Sequence, residues 1–239
     1  MHPEWLVLFV ILLALSLDGL VVWPNFTRRV AVDAAKTRRT LWAQWMLILW
    51  GGSALVIALW IAKGVSLSEV DLALPSGWRL WAPVVLIVAV VCAEGHGAAR
   101  ISRLSGDKPK LRAQIGSTAL VMPHDASELP VWLGLSASAG FCEELLFRGF
   151  LIWILQPVAG WWIAAIASLA VFAAAHAYQG AAGMVRSATL GALFTVLVAV
   201  THSLWPGIVL HAAMDWMGGL TGWLILRDVP AGEVADGAR

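Results

Sequence analysis

The sequence predicts an all-α, polytopic integral membrane protein with about seven transmembrane helices. Three observations predict it. Of 239 residues, 60% are hydrophobic and 13% charged, with a mean hydropathy of +0.79, whereas a soluble domain carries about 25% charged residues. The apolar residues fall in runs near the roughly 20 residues needed to cross a bilayer. Fifteen Trp stand against one Tyr, and Trp is favoured at the water–lipid boundary.

The first run, 5–23, ends in Trp23-Pro24 rather than a small-residue cleavage site. Met1-His2-Pro3-Glu4 also lacks the Lys or Arg of a signal-peptide n-region, so the run reads as a retained anchor. Spans two and three cover 41–62 and 80–99. Spans four to seven cover 130–155, 162–182, 187–203 and 206–226, where short Gly-containing connections also allow re-entrant turns. These divide the chain into N-terminal spans with basic loops (1–128), a four-helix C-terminal unit (129–226) and a polar tail expected to be mobile (227–239).

Orientation follows from charge. Arg28, Arg29, Lys36, Arg38 and Arg39 crowd the 24–40 loop, and Arg100, Arg103, Lys108, Lys110 and Arg112 crowd the 100–128 loop. In the 63–79 loop, Lys63 and Arg79 are balanced by Glu69 and Asp71. Positive loops stay cytoplasmic, which puts the N-terminus outside and the C-terminus in the cytoplasm, in a bacterial cytoplasmic (inner) membrane. Basic residues gathered in two loops give no surface for nucleic acid. Cys92 and Cys142 each sit in an apolar run; they form no disulfide framework or zinc knuckle and read as packing volume.

Three fragments place ionisable groups where lipid is expected: Cys142-Glu143-Glu144-Leu145-Leu146-Phe147-Arg148, Phe172-Ala173-Ala174-Ala175-His176 and His211-Ala212-Ala213-Met214-Asp215. A charge at the bilayer centre costs roughly 2.5–3.5 kcal/mol on insertion scales, so such groups face a protein interior or a wet cavity. Glu144 and Arg148 are four apart and should pair. Glu143, about 100° round the helix, then remains available for chemistry. His176 shares a face with Phe172, and Asp215 sits one turn from His211, where it can orient the imidazole or donate as an acid. Each pair alone reads more readily as structural glue or a satisfied core histidine than as a site. All three together read as a site. The assigned spans leave His211 nearer the outer face than Glu143 or His176, so tilt or a buried hairpin is needed to unite them.

Together these fragments resemble the CPBP family (CAAX protease and bacteriocin-processing, or Abi) of intramembrane proteases, over roughly 120–220. Glu143, Glu144 and Arg148 meet its Glu-Glu-x-x-x-Arg motif, within Ala139-Gly140-Phe141-Cys142-Glu143-Glu144-Leu145-Leu146-Phe147-Arg148-Gly149. Phe172 and His176 meet Phe-x-x-x-His. His211 and Asp215 meet His-x-x-x-Asn/Asp, after Ser203-Leu204-Trp205-Pro206-Gly207. The prenyl-protein endopeptidases of the family usually carry Asn at the last position; Asp215 departs from that. The resemblance implies that Glu143 and His176 activate a water, that His211 and Asp215 stabilise the oxyanion, and that Glu144 and Arg148 hold the helix. The implied partners are a peptide or membrane-protein substrate and the bilayer.

Rival patterns are poorer. Gly134-Leu135-Ser136-Ala137 matches a short serine-protease pattern but reads as close helix packing. No His-Glu-x-x-His occurs. No cofactor is expected, although two Glu and two His leave a divalent metal such as zinc open. Asp18 and Glu94-Gly95-His96 read as helix-end or interhelical hydrogen bonding. A non-catalytic membrane immunity or scaffold protein of the same fold is the alternative function. A proton-coupled transporter would show paired halves, and none is visible.

Overall fold

A computed structural model describes residues 2–103 and 108–228. Among them all regular structure is helical. Helix α1 (Pro3–Leu17) passes through a π-helical stretch, Asp18–Val22, into α2 (Trp23–Val30), making one 28-residue span. Pro24 explains the wide turn: its ring presses on the carbonyl four residues back, which the π stretch moves aside. Helix α3 (Ala34–Lys63) is capped by Asp33, which accepts from the Lys36 N–H at 3.1 Å, and ends at Gly64 with φ +68°. It starts before the expected span because this cap lies in the basic loop. Helices α4 (Trp78–Ser102) and α5 (Lys108–Ile115) follow. Helix α6 (Leu129–Glu143) runs through a π-helix, Glu144–Leu151, into α7 (Ile152–Ala159), which stops at Gly160 with φ +79°. Helices α8 (Trp161–Ala175), α9 (Gly180–Thr201) and α10 (Trp205–Leu226) complete the fold.

All seven expected segments are helical, and among the described residues five helical spans are long and apolar enough to cross a membrane. The protein is therefore all-α and polytopic. Several boundaries differ from the sequence reading, α9 for one starting at Gly180 rather than 187. Helix α8 ends at Ala175, not near 182, because Gly180 takes φ +74° and lets the chain reverse into α9. Its 15 residues span only about 22 Å, against a hydrocarbon thickness of about 30 Å. The fourth segment is an unbroken helical run from Leu129 to Ala159, with its three charges inside. From residue 229 onward the tail lies outside the described residues.

Apolar side chains point outward on the long helices, including Phe9, Leu20, Leu47, Ile61, Trp81 and Val185. A soluble monomer rarely exposes so much apolar surface, and lipid is the solvent that accepts it. The interior is held by close helix approach. A Cβ at Gly140 of α6 would lie 2.7 Å from Ala212 Cβ and 2.8 Å from the Ile208 carbonyl of α10. A second tie joins α3 to the segment before α6. Arg38 donates from Nε and Nη2 to the two Glu128 carboxylate oxygens, each at 3.1 Å, and Glu128 also accepts the His124 N–H at 2.8 Å. Burial holds the His124 imidazole below its usual pKa, and its Nε2–H donates to the Ala119 carbonyl at 2.9 Å.

Candidate functional site

The six residues singled out in the sequence come together. Glu143 ends α6 and Glu144 opens the π-helix, so the two carboxylates leave the backbone in different directions at a change of helical pitch. Single π turns inside α-helices are common at functional sites. Glu144 is fully buried. Its Oε1 accepts from Arg148 Nη1 at 2.9 Å and contacts His211 Nδ1 at 2.9 Å. Gly207 leaves room for its other oxygen: a Cβ there would stand 3.2 Å from Glu144 Oε2.

Arg148 is held on every side. Nη2 donates to the Gly191 carbonyl at 3.1 Å, and the guanidinium lies 4.2 Å from the Phe172 ring centroid and 5.6 Å from that of Phe194. A guanidinium over an aromatic face gains electrostatic attraction that grows when water is excluded. Phe172, the aromatic of the second motif, is therefore the platform under the cation of the first. A Cβ at Gly191 would meet Arg148 Nη2 at 2.6 Å and Leu169 Cδ1 at 2.8 Å, so a side chain there would press on the guanidinium. Phe194 also stacks on His211, with centroids 4.9 Å apart and planes 16° apart.

His176 lies at the C-terminal end of α8 rather than in mid-helix. Its Nδ1 is 2.8 Å from the Phe172 carbonyl oxygen. A carbonyl only accepts, so Nδ1 carries the proton and the neutral ring turns an Nε2 lone pair to the cavity. That Nε2 is 4.0 Å from Glu143 Oε2, and His211 Nε2 is 3.9 Å from the same oxygen. Asp215 Oδ2 is 3.6 Å from His211 Nε2. Glu143 Oε2 and Glu144 Oε2 are both buried without a hydrogen-bond partner. The depth mismatch expected for His211 disappears because α10 lies against α6 at Gly140, level with the carboxylates.

Glu143, His176 and Asp215 line a cavity of about 430 Å³ between α1, α3, α6 and α10. Its wall is mostly apolar, with Ile11, Leu15, Leu47, Leu135 and Leu146, and Asp18, Trp45, Tyr178 and Gln179 also line it. Trp45 Nε1 donates to Asp18 at 2.9 Å, an interhelical hydrogen bond as expected. Ser136 donates to the Trp132 carbonyl of its own helix at 2.9 Å. Glu94 and His96 are exposed on α4.

Residues 125–217 match the family model for Rce1-like proteins, type II CAAX prenyl endopeptidases. The three motifs lie inside this matched segment, which covers less than half of the chain. No curated protein and no solved structure matches the chain. At family level the Rce1-like segment is that of a CAAX-protease-like intramembrane endopeptidase, and the apolar helices around it fit a peptide substrate met in the bilayer.

The donor atoms of the site stand wider apart than a tetrahedral zinc site sets them. Donor atoms around Glu143 and His211 lie 3.6, 3.9 and 4.0 Å apart, wider than the roughly 3.4 Å edge implied by zinc bonds of about 2.0–2.1 Å in a tetrahedron. Among the described residues no group of three or more His, Cys, Asp or Glu is spaced to hold a metal ion. Sequence reasoning missed Gly191, Phe194, Tyr178 and the Gly140 contact. Tyr178 is the only tyrosine of the chain and Gly140 lies in the stretch around the first motif, but Gly191 and Phe194 carried no mark in the sequence.

Proposed function

We propose that the chain is an intramembrane endopeptidase that hydrolyses a peptide bond with water activated by Glu143 and His176. The observation that carries this reading is the unpartnered Glu143 Oε2, faced by two imidazole Nε2 atoms at 4.0 and 3.9 Å. That separation is too long for a direct hydrogen bond and suits one bridging water. Glu143 takes a proton as the water oxygen bonds to the carbonyl carbon, and the C=O π pair moves onto oxygen. With Nδ1 donating to Glu144, a protonated His211 Nε2 is a donor toward that oxyanion, and Asp215 is a second donor in its acid form. Collapse returns the pair, breaks the C–N bond, and passes the Glu143 proton to the leaving amine. Glu144 and Arg148 orient His211 rather than touch substrate.

Residues 129–226 form the catalytic core in this reading, and 1–128 supply the membrane walls and cytoplasmic loops. The substrate is a peptide or membrane-protein segment reaching the cavity from a cytoplasmic membrane, with the N-terminus of the enzyme outside. The purified protein should cleave peptides in detergent or liposomes. Glu143→Gln should lower that activity by at least the roughly 100-fold typical of losing a general base, with thermal stability near wild type. Strong chelators should leave wild-type cleavage intact. A protein that binds peptide but never cleaves would be the immunity or scaffold protein instead, and activity lost with stoichiometric zinc would make it a metalloprotease.

A further inference from the structure

The chain has one tyrosine, and it lines the cavity of the proposed site. Tyr178 follows His176 by two residues, on the short 3-10 turn Ala177–Gln179 that the end of α8 creates. Its ring is close to parallel with His176, 28° between planes and 6.1 Å between centroids. Trp23 and Trp45 pack against it at 5.0 and 5.3 Å, so the N-terminal helices fix where it stands. The phenol lies within electrostatic range of Glu143 and Asp215.

The hydrogen bonds around it run one way. Ser187 Oγ donates to Gln179 Oε1 at 3.5 Å, and Gln179 Nε2 donates to the Tyr178 oxygen at 3.1 Å. An amide nitrogen has no lone pair to offer, so the phenol accepts here and its own O–H is left to point elsewhere. Tyr178 lines the cavity, which gives that O–H room to donate. The need for such a donor is also visible. Asp215 donates to an oxyanion only while protonated, and ionised it repels one; a phenol keeps its proton across neutral pH.

We propose that Tyr178 is a further catalytic residue, whose O–H donates a hydrogen bond to the carbonyl oxygen as it becomes the oxyanion. No proton is transferred in this step; the bond shortens as charge grows on oxygen, which favours the transition state over the bound substrate. The proposal rests on the endopeptidase reading, and two readouts separate them. The first is steady-state cleavage by wild type and Tyr178→Phe. Loss of one oxyanion donor should lower kcat by roughly 100-fold, with KM within about twofold and thermal stability unchanged. The second is binding of a peptide phosphonate, a stable anionic mimic of the tetrahedral intermediate, read by the ¹⁹F shift of fluorotyrosine at this single position. The shift should move on binding, and Tyr178→Phe should weaken phosphonate binding far more than binding of the matching uncleaved peptide to Glu143→Gln. An unchanged kcat, or equal weakening toward phosphonate and peptide, would overturn the role of Tyr178 while leaving the protease reading intact. Absence of all cleavage by wild type would overturn the protease reading, and the phosphonate comparison would still decide whether the phenol binds a tetrahedral anion.

Discussion

Glu143 and Glu144 are neighbours in the chain and opposites in their surroundings. Glu144 is bound to Arg148 and His211 in a fully buried pocket, whereas Glu143 Oε2 meets only imidazole edges about 4 Å away. Their substitutions should therefore fail differently. Arg148→Ala strands a buried carboxylate and removes the cation from the Phe172 ring. Breaking a buried pair costs roughly 3–5 kcal/mol, which unfolding in detergent would measure, while Glu143→Gln should barely move stability. Equal, mild effects of both would contradict the division of roles. Asp215 makes a sharper test. It donates only in its acid form, so activity should fall as pH rises through its titration. Asp215→Asn donates at any pH and should stay active at higher pH than wild type. Asp215→Ala should lose about 100-fold. Rate–pH profiles on one peptide decide it; an inactive Asn variant would mean that the carboxylate charge itself is required.

At the scale of helices, the site depends on two places where a side chain would not fit. Gly140 lets α6 touch α10, which brings His211 level with Glu143 and Glu144. Gly191 lets α9 offer its carbonyl to Arg148. Gly140→Val would set new atoms against the Ile208 carbonyl, which is backbone and cannot swing aside. Overpacking of this kind typically costs about 1–3 kcal/mol. Because the displaced helix carries His211 and Asp215, cleavage should fall by more than the stability loss explains. Activity measured on the folded fraction would separate the two, and a Val variant as active per folded molecule as wild type would show that helix spacing does not set the site. The π-helix Glu144–Leu151 lies at the same scale and carries Glu144 and Arg148, both buried.

For the whole molecule, the matched segment 125–217 is not self-sufficient. Helices α1 and α3 wall the cavity, Trp23 and Trp45 pack on Tyr178, and Arg38 closes on Glu128 at the entrance to α6. The N-terminal spans thus belong to the site as well as to the membrane. Their basic loops predict its orientation. A reporter fused after residue 112 should read cytoplasmic and one near residue 70 external; the reverse pattern would place the cavity mouth on the other side.

The sequence by itself determined the fold class, the helical segments and the six charged or imidazole groups of the candidate site. It did so because composition and run length are local properties, and because Glu143, Glu144, Arg148, His176, His211 and Asp215 are costly in lipid and so stand out against their neighbours. What the tertiary structure decided is which groups meet. Nothing local says that Phe172 lies under Arg148, that Phe194 stacks on His211, or that the Gly191 carbonyl completes the guanidinium's partners. These are apolar rings and backbone atoms, ordinary in any membrane helix, and their roles arise only when α8, α9 and α10 close on one another. The end of α8 at Ala175 was hidden for a related reason: Ala and Tyr are as acceptable in a helix as in a turn, and the reversal rests on the positive φ of Gly180. His211 reached the level of Glu143 through the Gly140 contact, a distance between helices that a pattern along one chain does not carry.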